Sequence, residues 1–155
     1  EEAKRRLVND LMGDDVDAAV MEAGGACQSA ALKATQKLFD KEAKLTLKCA
    51  KLGLGGSNGA TMVSSEDLAT CIAALEVDQG SALAKGRIKL SKALMQTCPV
   101  DRSSVLPGPC AAAAHTSGCL SERVSCRLCQ MFDAVWALAA DCDAIDNGFI
   151  EGSCN

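Results

Sequence analysis

Where apolar residues recur regularly along the chain, they do so at helical spacing. In "EEAKRRLVNDLM" Leu7, Val8, Leu11 and Met12 share one face and Gly13 supplies a stop, which predicts a short N-terminal helix. A second short helical piece is expected over 15–23, ahead of the glycine pair at 24–25. From Ala26 to Lys51 nothing breaks a helix. Cys27, Ala31, Ala34, Leu38, Leu45, Cys49 and Leu52 form a seam there, mostly three and four residues apart. "GLGGSNGATM" then reads as a connection.

Ser64, with Asp67 three residues on, reads as a capping box opening a second long helix. Its buried face is expected to run through Leu68, Cys71, Ile72 and Leu75 and on to Ile88, Leu90, Leu94 and Met95. Gly80 and Gly86 each cost about 1 kcal/mol in a helix interior, so a kink or break is expected near 78–81. All three prolines sit in the loop "CPVDRSSVLPGPC". Ser121 is expected to cap a last helix reaching Ala140, with Val124, Leu128, Phe132, Val135 and Ala139 facing inward. The tail "DCDAIDNGFIEGSC" reads as a tight acidic loop. The predicted fold is all-α: a disulfide-stapled helical hairpin with flanking N- and C-terminal helices. It forms a single domain over 1–155, in which 1–25 is a candidate extendable arm.

Composition changes this picture in one respect. With no tyrosine, one tryptophan and three phenylalanines, the core has to be built from Leu, Ala, Val, Met and cystine. Bridges then supply stability that aromatic packing does not, at roughly 2–4 kcal/mol each. Ten cysteines, an even count, favour an oxidising compartment over the reducing cytosol. Glu1 in place of Met fits a mature chain after signal-peptide removal. No apolar run approaches the roughly 20 residues a membrane span needs. An extracellular location without a membrane span is the expectation.

The pair in "SCRLCQ" has the spacing of several chemical sites. Covalent haem attachment requires a histidine after the second cysteine, but Gln130 stands there and the only histidine is His115. A zinc site drawn from Cys126, Cys129, Cys142 and Cys154 lacks a second closely spaced pair. A thioredoxin-like site needs a strand-to-helix junction, and no strand pattern lies nearby. Structural disulfides are the favoured reading.

Geometry suggests two of them. Cys27 and Cys49, 22 residues apart on one continuous helix, are separated by about 33 Å and cannot pair. An antiparallel hairpin instead brings Cys49 to Cys71 near its loop and Cys27 to Cys98 at its open end. Cys110, Cys119, Cys126, Cys129, Cys142 and Cys154 remain open among about 15 connectivities. Cys126 and Cys129 are expected to tie outward, to Cys110, Cys119 or the tail.

The tail pattern "CRLCQ…DCDAIDNG…GSC" resembles one in uncharacterised cysteine-rich secreted proteins of environmental bacteria, with a weaker echo in "C…KATQKL…LKC". The resemblance implies secretion and disulfides, and implies no activity.

Charge is unevenly spread. Residues 1–26 carry a net −4, 27–64 carry +4, 65–99 balance, and 100–155 carry −4. Lys33, Lys37, Lys41, Lys44, Lys48 and Lys51 are three and four residues apart, which places all six on one helix face. Such a stripe is either a solvated face or a landing surface for acid. Nucleic acid is not the expected partner, because no stacking aromatics accompany the lysines and the net charge is −4. An acidic segment of the same chain or of a neighbouring copy is the better candidate, and copies of the chain are the expected partner. Their basic stripes would meet neighbouring acid such as Asp14, Asp15, Asp17 and Glu22, while Leu7, Val8, Leu11 and Met12 of the arm dock between a neighbour's helices.

In the tail, Asp141, Asp143, Asp146, Asn147 and Glu151 form a weak calcium candidate. The register of an EF-hand fails, since placing Gly148 at its glycine position puts Ile145 and Cys154 where ligands belong. A solvated turn-rich loop is the favoured reading, so neither metal nor cofactor is expected. His115 reads as an exposed loop residue without a catalytic partner, and Ser117 lacks a nucleophile elbow. The expected function is therefore non-enzymatic: a secreted, self-associating building block of an extracellular filament or surface assembly. The alternative is a monomeric secreted binding module for a small apolar ligand or calcium.

Overall fold

A computed structural model describes residues 2–13, 24–54, 66, 67, 70, 71, 74, 82–103, 105–110, 113–136, 142 and 154, with backbone alone for 52–54. Four helices are formed among them, α1 (Glu2–Met12), α2 (Gly25–Leu54), α3 (Ala82–Thr97) and α4 (Thr116–Trp136), and no strand. The all-α, disulfide-stapled class expected from the sequence is the one observed.

The 30 residues of α2 make a rod about 45 Å long. Its seam of Cys27, Ala31, Leu38, Leu45 and Cys49 is buried, joined by Phe39 and Ala50. The mid-helix threonines satisfy their own hydroxyls: Thr35 donates to the Ala31 carbonyl (2.8 Å) and Thr46 to that of Glu42 (3.0 Å). α3 lies along α2, buries Leu83, Leu90 and Leu94, and stops where Pro99 can no longer donate to the helix. Gly86 has a packing role: an added Cβ would fall 2.9 Å from the buried Leu38 Cδ1, so the missing side chain lets the two helices approach. Both predicted hairpin bridges are present, Cys27–Cys98 and Cys49–Cys71.

Three expectations change. Ile88 and Met95 do not continue the buried face of α3; they stand 64% and 66% exposed. Positions 83, 86, 90 and 94 already fill the contact with the core, and 88 and 95 lie well round the helix from them. α4 starts at Thr116 and not at Ser121, with the His115 carbonyl accepting from Cys119 N–H (3.0 Å). The Cys110–Cys119 bridge pins that first turn to the preceding loop, and Ser121 becomes a buried mid-helix residue whose hydroxyl accepts from Arg87 Nε (3.1 Å). Val124, Leu128 and Phe132 face inward as expected, but Val135 is exposed, and Phe132 stacks on Trp136 with centroids 4.6 Å apart. Ala139 lies outside the described residues.

The third change concerns α1, which is not an arm in this fold. Leu7, Leu11 and Met12 are buried in the chain's own core, with Val8 packed against it. Gly13 closes the helix in a left-handed conformation (φ 76°), its N–H donating to the Asn9 carbonyl at 2.7 Å. The loop after α3 then seals the end of α1, where Gly108 N–H donates to the Leu11 carbonyl at 3.2 Å. Val105 and Leu106 from the same loop are buried below, and Gln28 Nε2 donates to the Val105 carbonyl at 2.9 Å.

Candidate functional site

The "SCRLCQ" stretch is a structural clasp. Cys126 bridges to Cys154 and Cys129 to Cys142, so both tie outward to the tail, and the described cysteines include no free thiol. Between them, Arg127 grips Asp10 of α1 through two hydrogen bonds, Nε to Oδ2 at 2.9 Å and Nη2 to Oδ1 at 2.8 Å. Its Nη1 donates to Gln130 Oε1 (2.9 Å), and Gln130 Nε2 donates to the Cys154 carbonyl (2.6 Å). One helical turn of α4 thus holds both ends of the described chain. Asp10 and Arg127 are both buried, and Arg123 approaches the same carboxylate at 3.9 Å. The carboxylate's hydrogen bonds push the Arg127 pKa up, against the opposing pull of burial. With Leu128 in the core and the Ser125 hydroxyl donating to the Ser121 carbonyl (3.4 Å), all six residues of the stretch are engaged in the fold, and both cysteines of its pair are taken up in bridges to the tail.

The lysine row is where polar chemistry faces water. Lys33, Lys37, Lys44, Lys48 and Lys51 are exposed along α2, opposite its buried seam. Lys41 is half-buried instead, its ammonium donating to the Ala82 carbonyl at the start of α3 (3.1 Å). Among the described residues, no carboxylate pairs with the five exposed members; the nearby Asp40 is taken by Lys4 at 3.3 Å. α3 adds Lys85, Arg87, Lys89 and Lys92 and contains no acid. The two packed helices together hold ten bases and two acids, a net +8 in a chain of net −4, which leaves −12 for the remainder. Sequence blocks of 27–64 and 65–99 hide this, because the acids of 66–78 precede α3 and cancel its charge on paper.

A groove of about 740 Å³ opens between α3 and the start of α4, lined by Arg87, Ile88 and Ser91 on one side and by residues 113–115, 117–119, 121 and 122 on the other. Its lining is mostly apolar, and it holds His115, exposed as expected, with Ser117. No nucleophile and base are hydrogen-bonded to each other there among the described residues.

Of the calcium candidates, Asp141, Asp143, Asp146, Asn147 and Glu151 all lie outside the described residues, as do Asp14, Asp15, Asp17 and Glu22. Among the described residues no group of three or more potential ligands converges on a metal position. No helix among them is long and apolar enough to cross a membrane. Five disulfides mark the chain as one that matures outside the reducing cytoplasm. Comparison with protein-family models, curated proteins and solved structures finds no match.

Proposed function

We propose that the chain is a non-enzymatic, secreted structural protein, a self-associating building block of an extracellular filament or surface assembly. The observation that carries the proposal is the exposed row Lys33, Lys37, Lys44, Lys48 and Lys51, unpaired among the described residues and about 27 Å long on the rigid α2 rod. Like charges at i, i+3 and i, i+4 repel in a lone helix, and neutralisation by a neighbour's acid relieves that cost. A second copy offers such acid, because outside α2 and α3 the chain carries −12. Leu47, 45% exposed, sits three and four residues from Lys44 and Lys51 and supplies apolar contact within the same face. Since Leu7, Leu11 and Met12 are committed to the subunit's own core, the docking surface belongs to α2 and not to an N-terminal arm. The resemblance of the tail to secreted bacterial proteins supports the compartment.

Sedimentation velocity across a wide concentration range tests this. Wild-type protein should associate, less tightly at high salt because exposed ion pairs contribute only about 0–1 kcal/mol each and are screened. Lys44→Glu with Lys48→Glu should leave a folded monomer. A wild-type monomer at every concentration contradicts the proposal.

The groove beside α3 favours a second reading, a binding module for a small apolar ligand, since its volume and lining lie in the range of small-molecule sites.

A further inference from the structure

Five large apolar side chains are exposed among the described residues, and three of them, Ile88, Met95 and Val100, lie on α3 or just beyond it. Ile88 and Met95 are seven residues apart, two turns along one side of the helix. Lys85 and Lys92 flank Ile88 at three and four residues' distance, Lys92 also neighbours Met95, and Lys89 completes the row. All three lysines are exposed, while Leu83, Gly86, Leu90 and Leu94 hold the opposite side of the helix in the core. Val100, 97% exposed, follows directly after the Cys27–Cys98 bridge that fixes the end of α3 to α2. The outer face of α3 is thus a strip in which Ile88 and Met95 alternate with cations and no acid intervenes, with the exposed Val100 just beyond the stapled end of the helix, next to Asp101.

We infer that this strip docks the protein on an anionic phospholipid surface. An acidic protein or a nucleic acid would neutralise the lysines but leave Ile88, Met95 and Val100 in water, and the chain has few aromatics for stacking on bases. A bilayer interface takes both at once: apolar side chains enter the headgroup boundary while flanking ammonium groups meet lipid phosphates. The acid-rich remainder of a second copy is a poorer fit, because apart from Val100, which belongs to the strip itself, Val135 is the only large exposed apolar side chain among its described residues. The inference is independent of self-association through α2. A subunit that fails to assemble should still bind the surface.

The test is co-sedimentation of the oxidised protein with vesicles of phosphatidylcholine alone and of phosphatidylcholine with one-third phosphatidylglycerol. Three variants accompany the wild type: Lys85→Glu/Lys89→Glu/Lys92→Glu, the charge-matched Lys33→Glu/Lys48→Glu/Lys51→Glu on α2, and Ile88→Ser/Met95→Ser. Each lysine held at an anionic surface strengthens binding about five-fold, so reversing the α3 set should weaken partitioning at least about 100-fold. The α2 set should change it far less. The serine variant should lose the binding that survives at high salt. Circular dichroism confirms that each variant is folded, which exposed positions allow. Equal partitioning into both vesicle types, or no binding to either, overturns the inference. So does equal loss from the α2 and α3 sets, which would mean diffuse charge attraction, or loss of self-association in the α3 variant without any vesicle binding by the wild type.

Discussion

Replacing Asp10 by asparagine keeps the shape of the side chain and removes its charge from between Arg127 and Arg123. In the native fold the carboxylate is 5% exposed, accepts two hydrogen bonds from Arg127 and lies 3.9 Å from the Arg123 guanidinium. Removing one partner of a buried ion pair costs about 3–5 kcal/mol, because the other charge stays desolvated and uncompensated. In a chain of this size each kcal/mol lowers the melting temperature by roughly 2–4 °C, so the expected fall is on the order of 6–20 °C. Chemical denaturation of the oxidised protein measures the free energy directly. The pair also has an apolar alternative: Asp10→Leu with Arg127→Met buries no charge, and such replacements are often neutral or stabilising. The double variant should therefore recover at least about 2 kcal/mol relative to the sum of the two single ones. Single variants that each cost less than about 1 kcal/mol, or that add within about 0.5 kcal/mol, would refute the view that this contact locks α1 to α4.

Three further outcomes are expected. Gly108→Ala should cost about 1–3 kcal/mol in the same denaturation assay, since an added Cβ would lie 2.5–2.6 Å from the Leu11 carbonyl group, which is backbone and cannot move aside. Replacing Cys126 and Cys154 together by alanine opens a bridge spanning 28 residues and should lower stability by about 3–4 kcal/mol, while peptide mapping still finds Cys129 linked to Cys142. Hydrogen bonds from Arg5 and Arg6 hold Glu2 below the usual carboxylate range, and those from Ser103 do the same for Asp101. Their stabilisation is present above about pH 4 and lost as pH falls through the depressed native values, whereas that of Arg127, whose pKa is raised, is lost only on strongly alkaline titration. Melting curves should show no step from these three groups near neutrality.

Much of the frame was legible because it rests on local periodicity. The seam from Cys27 to Cys49 identified α2, and the rigidity of that helix excluded a Cys27–Cys49 bridge and left the observed hairpin pairs. What was not legible depends on contacts between distant residues. An amphipathic helix such as α1 carries the same pattern whether it docks in its own core or in a neighbour's, and what distinguishes them are contacts between distant residues, such as Asp10–Arg127, 117 positions apart, and Gly108 N–H on the Leu11 carbonyl. Ser121 looks like a helix cap because Ser caps well, but the Cys110–Cys119 bridge lets α4 begin five residues earlier. Ile88, Met95 and Val135 fit an apolar stripe by spacing, yet a helix covered by one or two neighbours buries a narrower arc. The basic character of the site was visible in the lysine row of α2; its extension across α3 emerged only once the helix boundary at Ala82 separated those bases from the acids before it.

The central functional claim, that the basic face of α2 lies against the acid of a neighbouring copy, has one direct measurement. Unlabelled and ¹⁵N-labelled protein are mixed, treated with a zero-length carbodiimide that joins an amine only to a carboxylate in contact with it, and digested for mass spectrometry. The account predicts mixed-isotope links from Lys33, Lys37, Lys44, Lys48 or Lys51 to acidic residues outside α2 and α3, weakened by salt. Links from these lysines that never mix isotopes would contradict it, because the stripe would then be covered by acid from its own chain.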